Sequence, residues 1–151
     1  MIKRQQVDFS NFEEKIKNLG QALEKHAPYL VTAYLFGSSH DGKLTPLSDI
    51  DLALLLAKNL EDATQIETKI LLDAIKIFGT EEIDLLNLNE APLHFQYNVI
   101  KNKRVIFCAD SEERINFETR VIMNYLDFAH VRFMFNQEFL KSLGVGGRGN
   151  G

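Results

Sequence analysis

The aspartates at positions 49 and 51 are the residues of this sequence whose type and spacing most directly suggest chemistry. They open the apolar stretch DIDLALLLA, and side chains two residues apart on a strand project to the same face. Asp84 lies in a similar apolar setting, EIDLL. If the two strands are neighbours, three carboxylates converge, and such a cluster is costly unless cations neutralise it. Because Mg²⁺ and Mn²⁺ prefer hard carboxylate oxygens, the pattern predicts a divalent-metal site.

A glycine and a serine upstream supply a complementary feature. Gly37 and Ser38 follow the apolar stretch LVTAYLF, and ten residues separate Ser38 from Asp49. Glycine lets the backbone approach a ligand closely, and amide and hydroxyl donors at such a corner suit a phosphate. Ser39 and Ser48, in the connecting loop, are expected to add to nucleotide binding. A phosphate site beside a carboxylate cluster predicts nucleotidyl transfer with two metal ions.

The elements that must position these residues follow from hydrophobic periodicity and from turn residues. The pattern predicts a mixed α/β (α+β) domain in which helices pack on a small mixed sheet. Strands are expected at 30–37, 49–57, 82–88 and 103–108, and helices are expected from Phe12, at 60–78 with a cap at Gly79, near Pro92, and over 112–143 as one long helix or two joined helices.

Composition limits the classes of protein that the chain can belong to. With 151 residues, 45% hydrophobic and 25% charged, it fits one globular domain, expected over 1–143, followed by a glycine-rich tail at 144–151 expected to be disordered. A net charge of -4 argues against a dedicated nucleic-acid binder. No signal segment and no apolar run near 18 residues is seen, which predicts a cytoplasmic protein without membrane contact. Cys108, in the apolar stretch RVIFCAD, is expected to be a buried structural thiol.

The last predicted helix is rich in aromatic residues. At 3.6 residues per turn, Phe133 and Phe135 lie about 200° apart, so the rings do not fit one narrow stripe. Either a broad core-facing surface or contact with a partner explains them, and the sequence leaves both open. The residues concerned are Phe117, Tyr125, Phe128, Phe133, Phe135 and Phe139.

The combination LFGSS…SDIDLALLL, IDLLNL, VIFCAD and a long aromatic C-terminal helix resembles the nucleotidyltransferase superfamily of DNA polymerase beta. Within it, the chain is most similar to the minimal nucleotidyltransferase (MNT) antitoxins that pair with HEPN ribonuclease toxins, over residues from about 12 to 143. The resemblance implies that Asp49 and Asp51 bind both Mg²⁺ ions and that Asp84 completes the site that activates a hydroxyl. It also implies that Gly37 and Ser38 hold the triphosphate of ATP.

The chain departs from this resemblance at one point. Many relatives have a basic residue directly after the Gly-Ser pair, whereas Ser39 and His40 stand here. His40 and Lys43 are the candidates to replace that phosphate contact.

The resemblance implies an antitoxin that transfers AMP from ATP to a tyrosine hydroxyl of a cognate HEPN toxin, in a heteromeric complex, and so silences the ribonuclease. Two other functions stay open at this point. One is a non-catalytic antitoxin that blocks the toxin through its aromatic C-terminal surface. The other is a nucleotidyltransferase that acts on a small molecule such as an aminoglycoside.

Overall fold

The computed structural model describes residues 11–37 and 50–144. Helices and strands alternate along this part of the chain, which confirms the predicted mixed α/β class. The elements are α1 (Phe12–Leu23), a 3₁₀ turn (Glu24–His26), β1 (Leu30–Phe36), β2 (Ile50–Leu56), α2 (Ala63–Phe78), β3 (Ile83–Asn87), α3 (Leu93–Lys101), β4 (Arg104–Cys108) and α4 (Ser111–Ser142).

The strands form one sheet in the order β3-β2-β1-β4. β1 is antiparallel to both β2 and β4, whereas β2 and β3 run parallel. A parallel pair needs a crossover connection, and α2 provides it. The parallel register places Asp51 directly beside Asp84 and Ile50 beside Ile83.

The two faces of the sheet carry separate apolar cores. Ile50, Leu52 and Leu54 of β2 pack into a cluster with residues of α1 and α2. Ala53 and Leu55 face the other way, into a cluster with residues of α3 and α4. β2 is therefore buried on both faces, as its almost continuous apolar sequence predicts.

Local signals set the helix ends. Gly79 adopts a left-handed conformation, with φ +72°, and its amide donates to the carbonyl of Ile75, so the predicted glycine cap of α2 is confirmed. The side chain of Asp110 accepts a hydrogen bond from the amide of Glu113 and caps the start of α4. From there α4 runs for 32 residues as one continuous helix, not two.

The prediction for Cys108 is wrong, because this thiol is exposed. It is the last residue of β4, which lies at the edge of the sheet, so one side of the strand is less covered than its apolar sequence suggests. The predicted disordered tail lies outside the described residues from 145 onward. Within the described ranges, no helix is long and apolar enough to span a membrane.

Candidate functional site

Asp51 and Asp84 stand side by side at one end of the sheet. They are register partners on the parallel strands β2 and β3, and neighbouring strands lie about 5 Å apart. Both side chains point to the face covered by α3 and α4, because Ala53 and Leu86, two residues further along each strand, pack there. The sequence predicted that the carboxylates converge if their strands are neighbours, and Asp51 and Asp84 meet this condition.

The backbone holds both carboxylates firmly while leaving them accessible. Ile50 and Ile83, which precede them, are buried in the opposite core, and the amide of Ile50 donates to the carbonyl of Glu82 at 3.0 Å. Asp51 is half-buried and Asp84 is exposed. Two carboxylates fixed this close together repel each other when ionised, so the arrangement favours a bound cation.

Gly37 brings the end of β1 against the same carboxylates. Phe36 is the register partner of Asp51, and Gly37 follows with φ +63°. A Cβ atom at this position would lie 2.5 Å from Oδ2 of Asp51, closer than carbon and oxygen tolerate. Glycine therefore permits both the left-handed turn and the close approach. We call Gly37, Asp51 and Asp84 the carboxylate edge.

The remaining predicted site residues, together with the candidates His40 and Lys43, lie outside the described residues. Among the described residues, no group of three His, Cys, Asp or Glu side chains is placed to hold a metal ion by itself. The structure thus brings together Gly37, Asp51 and Asp84, whose roles remain predictions, and says nothing of Ser38, Ser39, Ser48 and Asp49.

A buried polar network that the sequence did not reveal lies on the same face of the sheet. The hydroxyl of Tyr34 donates to Oε2 of Glu118 at 2.7 Å, and Nη1 of Arg114 donates to the same oxygen at 3.0 Å. Nζ of Lys103 lies 2.9 Å from Oε1. Tyr34 is completely buried and Glu118 is 9% exposed. The network ties α4 to β1, three residues before Gly37.

The protonation of this network follows from its contacts. Burial raises the pKa of the Tyr34 phenol, and its hydrogen bond to Glu118 raises it further. Burial alone would raise the pKa of Glu118, but hydrogen bonds from Lys103, Tyr34 and Arg114 outweigh burial and lower it. Glu118 is therefore a carboxylate at neutral pH, with Tyr34 as a neutral donor. A tyrosine inside the apolar stretch LVTAYLF was a signal that a buried partner exists, but that partner is 84 residues away.

A groove of about 720 Å³ lies at the opposite end of the sheet, lined in part by Leu56, Asn89, Gln96 and Phe117. Much of its polar lining serves the fold. Asn89 exchanges two hydrogen bonds with the backbone of Leu56, and Gln96 donates to the carbonyl of Leu88. The lining of the groove includes neither Asp51 nor Asp84.

The fold is similar to several solved toxin–antitoxin structures. A chain of a toxin–antitoxin crystal structure with AMP-PNP shares 23% identity with a TM-score of 0.61. A chain of the complex of a tri-AMPylated Shewanella oneidensis HEPN toxin with MNT antitoxin shares 20%, also with a TM-score of 0.61. A chain of the toxin–antitoxin MntA-HepT shares 19% with a TM-score of 0.59. Each match covers 85% of this chain and 98% of the other.

The sequence itself carries the family assignment. No curated protein matches it significantly. Residues 14–112 match the sequence family described as Polymerase beta, Nucleotidyltransferase, and this range contains Gly37, Asp51 and Asp84. Because the match spans well over half of the chain and includes the whole carboxylate edge, the protein belongs to the polymerase beta nucleotidyltransferase family.

Proposed function

We propose that this chain is an MNT-type antitoxin that transfers AMP from ATP to a tyrosine hydroxyl of a HEPN ribonuclease toxin and thereby neutralises it. The observation that carries the chemistry is the carboxylate edge, in which Asp51 and Asp84 are register partners and Gly37 lies against Asp51. The likeness to toxin–antitoxin structures, one with an AMPylated toxin, supports the choice of acceptor.

The donor set of the carboxylate edge fits Mg²⁺. Carboxylate oxygens are its preferred protein ligands, and it is typically held by one or two carboxylates together with substrate phosphates. In the proposal Asp51 and Asp84 hold two ions with Asp49. When bound, the ions would make the attacking hydroxyl more acidic and offset the charge of the triphosphate.

The chain itself orients the nucleotide. Gly37 removes the side chain that would block access beside Asp51, and its turn presents backbone to the phosphates. Ser38, Ser39 and Ser48 are the proposed additional donors.

The proposed transfer is a single displacement at the α-phosphorus. The tyrosine oxygen attacks the α-phosphorus in line, and a new phosphorus–oxygen bond forms as the bond to the bridging oxygen of the β-phosphate breaks. Pyrophosphate leaves, and the hydroxyl proton passes to the Asp84 carboxylate and from there to solvent. An exposed Asp84 suits an acceptor carried by another protein, because a protein-borne tyrosine must reach it from outside.

The modification would inactivate the toxin electrostatically. A phosphodiester-linked AMP adds negative charge and bulk at the ribonuclease surface. Added charge of this sign repels the phosphates of RNA from a binding cleft.

Mass spectrometry of the HEPN protein co-expressed with this chain tests the proposal. We expect a mass increase of one or more AMP units with wild type, and none with Asp51→Asn or Asp84→Asn. Asp73→Asn is the matched control, because Asp73 pairs with Lys25 and His26 on the α2 side of the molecule. It should leave the modification intact.

Two outcomes would contradict AMP transfer to the toxin. If the toxin is unmodified but stays bound and inactive, both with wild type and with each variant, the chain neutralises it by contact. An unmodified toxin together with nucleotidylated aminoglycoside would indicate a small-molecule enzyme.

A further inference from the structure

The second part of α4 is unusually apolar for a surface helix. We call residues 122–143 the distal segment. Most of its large apolar side chains are more than one third exposed, whereas Phe117 and Val121, just before it, are 4% and 2% exposed. The exposed residues are Ile122, Met123, Leu126, Phe128, Val131, Phe133, Met134, Phe135, Phe139 and Leu143.

The distal segment exposes a large apolar area. Phe128, Phe133, Phe135 and Phe139 are 56%, 60%, 70% and 56% exposed. At about 200 Å² per ring, these four alone expose roughly 500 Å², close to the largest apolar patch of a typical monomer. With the other six side chains, the area reaches the roughly 800 Å² that each partner contributes to a stable interface.

Most apolar residues of α4 lie in two stripes, each with alternating steps of four and three residues, which is the repeat of a coiled-coil seam. Asn124 and Asn136 are polar members of these stripes, and Met123, Met134 and Phe139 lie outside both. The core-side seam begins in the domain core and continues outward. The outer seam lies about 140° around the helix. The core-side seam is Phe117, Val121, Asn124, Phe128, Val131 and Phe135, and the outer seam is Ile122, Leu126, Ala129, Phe133, Asn136, Leu140 and Leu143.

A helix with two such seams is suited to lie between two other helices. A helix that is apolar on several sides is usually buried, and each 3.5-residue seam packs against one helical neighbour. Asp127, Glu138 and Lys141 share the wider arc between the seams with Met123 and Met134. A two-fold pair of distal segments would cover one seam per chain and leave the other exposed.

The family match covers almost none of α4. It ends at residue 112, and α4 begins at Ser111. The helix is therefore an addition to the part of the chain that matches the nucleotidyltransferase family.

We propose that the distal segment of α4 inserts between two apolar helices of the HEPN partner, with one seam packed against each helix. The identity of this partner rests on the proposed function, but the docking itself requires no catalysis. The carboxylate edge then acts on a partner that α4 already holds.

The test measures the dissociation constant of the purified HEPN partner in an Asp51→Asn background, so that binding is separated from AMP transfer. Phe128→Asp alters the core-side seam and Phe133→Asp the outer seam. Leu72→Asp is the control, because Leu72 on α2 is as exposed as Phe133, at 60%. We expect each seam variant to weaken binding at least about 30-fold, the effect of losing one interface hot spot, with Leu72→Asp unchanged.

Three results would overturn the proposal. If both seam variants bind with wild-type affinity, α4 is not part of the interface, and the proposed AMP transfer is not affected by this result. Weakening in only one variant would replace insertion between two helices by a one-sided contact. A chain that ignores the HEPN protein but forms a seam-dependent dimer in sedimentation would make a second copy the occupant. Because alanine favours helix, Phe128→Ala and Phe133→Ala test the same contacts without disturbing α4. Both should weaken binding in the same order as the aspartate variants, and their circular dichroism spectra should match that of wild type.

Discussion

The carboxylate edge and the distal segment of α4 depart in opposite directions from the usual distribution of side chains. At the edge, Asp51 lies between the buried residues Ile50 and Leu52, and Asp84 follows the buried Ile83. In the distal segment, phenylalanines face solvent at 56% to 70% exposure. Neither arrangement improves the stability of the isolated chain, because clustered charges repel and exposed rings gain nothing from burial.

The difference between the two regions lies in how rigidly each is held. The edge is fixed by the parallel pairing of β2 with β3 and by the network around Glu118, so its geometry exists before any ligand arrives. The distal segment is held to the rest of the fold by the stacking of Tyr125 on Tyr97 of α3, with 3.7 Å between the ring centroids, while its four phenylalanines are exposed. Catalysis requires the reacting atoms to be held in fixed positions, whereas docking requires a large contact area and regularly spaced apolar side chains.

The largest expected effect separates the two regions most sharply. Asp51→Asn should slow AMP transfer about 10³-fold, because losing a charged metal ligand removes roughly 4 kcal/mol of transition-state stabilisation. Single-turnover rates with the HEPN protein measure the change. Partner affinity should stay within a factor of two, and a parallel loss of affinity would mean that docking depends on the carboxylate edge.

Gly37→Ala should reduce AMP transfer by about 10²-fold, because the added Cβ would lie 2.5 Å from Oδ2 of Asp51 and displace the carboxylate. Gly79→Ala is the matched control, since Gly79 has a similar φ of +72° with open space around it. Both variants lose about 1 kcal/mol to left-handed strain, but only Gly37→Ala should lose activity. Equal activity in the two would show that Gly37 serves the turn alone.

Glu118→Gln should lower the free energy of unfolding by about 2 kcal/mol, because Lys103 and Arg114 lose their charged acceptor at a buried position. The folded-state pKa of Glu118 lies below its unfolded value of 4.5. Its contribution is therefore complete above pH 4.5 and disappears as the pH falls through the folded pKa. Urea unfolding should show the two proteins converging in acid, and a constant difference would contradict the assigned charge.

The smallest effect concerns an ion pair at the surface. Arg104 forms a two-pronged pair with Glu13, and its hydrogen bonds lower the pKa of Glu13. Because Glu13 is exposed, Glu13→Gln should change stability by less than about 1 kcal/mol. A loss as large as that of Glu118→Gln would mean that exposure does not distinguish the two carboxylates.

Much of this fold could be predicted because its signals are local. Apolar runs located each of the four described strands to within one or two residues, and Gly79 marked the end of α2. Strand order is not a local property. The sequence therefore could not show that β4 is an edge strand, and the prediction of a buried Cys108 failed for this reason.

The candidate site divides in the same way. The spacing of Asp49 and Asp51 and the setting of Asp84 indicated the chemistry, but only the parallel register of β2 and β3 places Asp51 beside Asp84. The Glu118 network escaped prediction because its members come from β1, from Lys103 just before β4, and from α4. The sequence also left open whether the aromatic helix covers the core or a partner, and its first part does face the core.

The length of the distal segment bears on how the enzyme selects its target. At 1.5 Å per residue, it extends about 30 Å past Val121. A protein held along such an arm keeps its tyrosine at an effective concentration near the millimolar range, whatever its bulk concentration. The carboxylate edge then needs few contacts with the residues around that tyrosine, because binding to the distal segment selects the partner. Repeated transfer would require only that the acceptor segment be flexible enough to return.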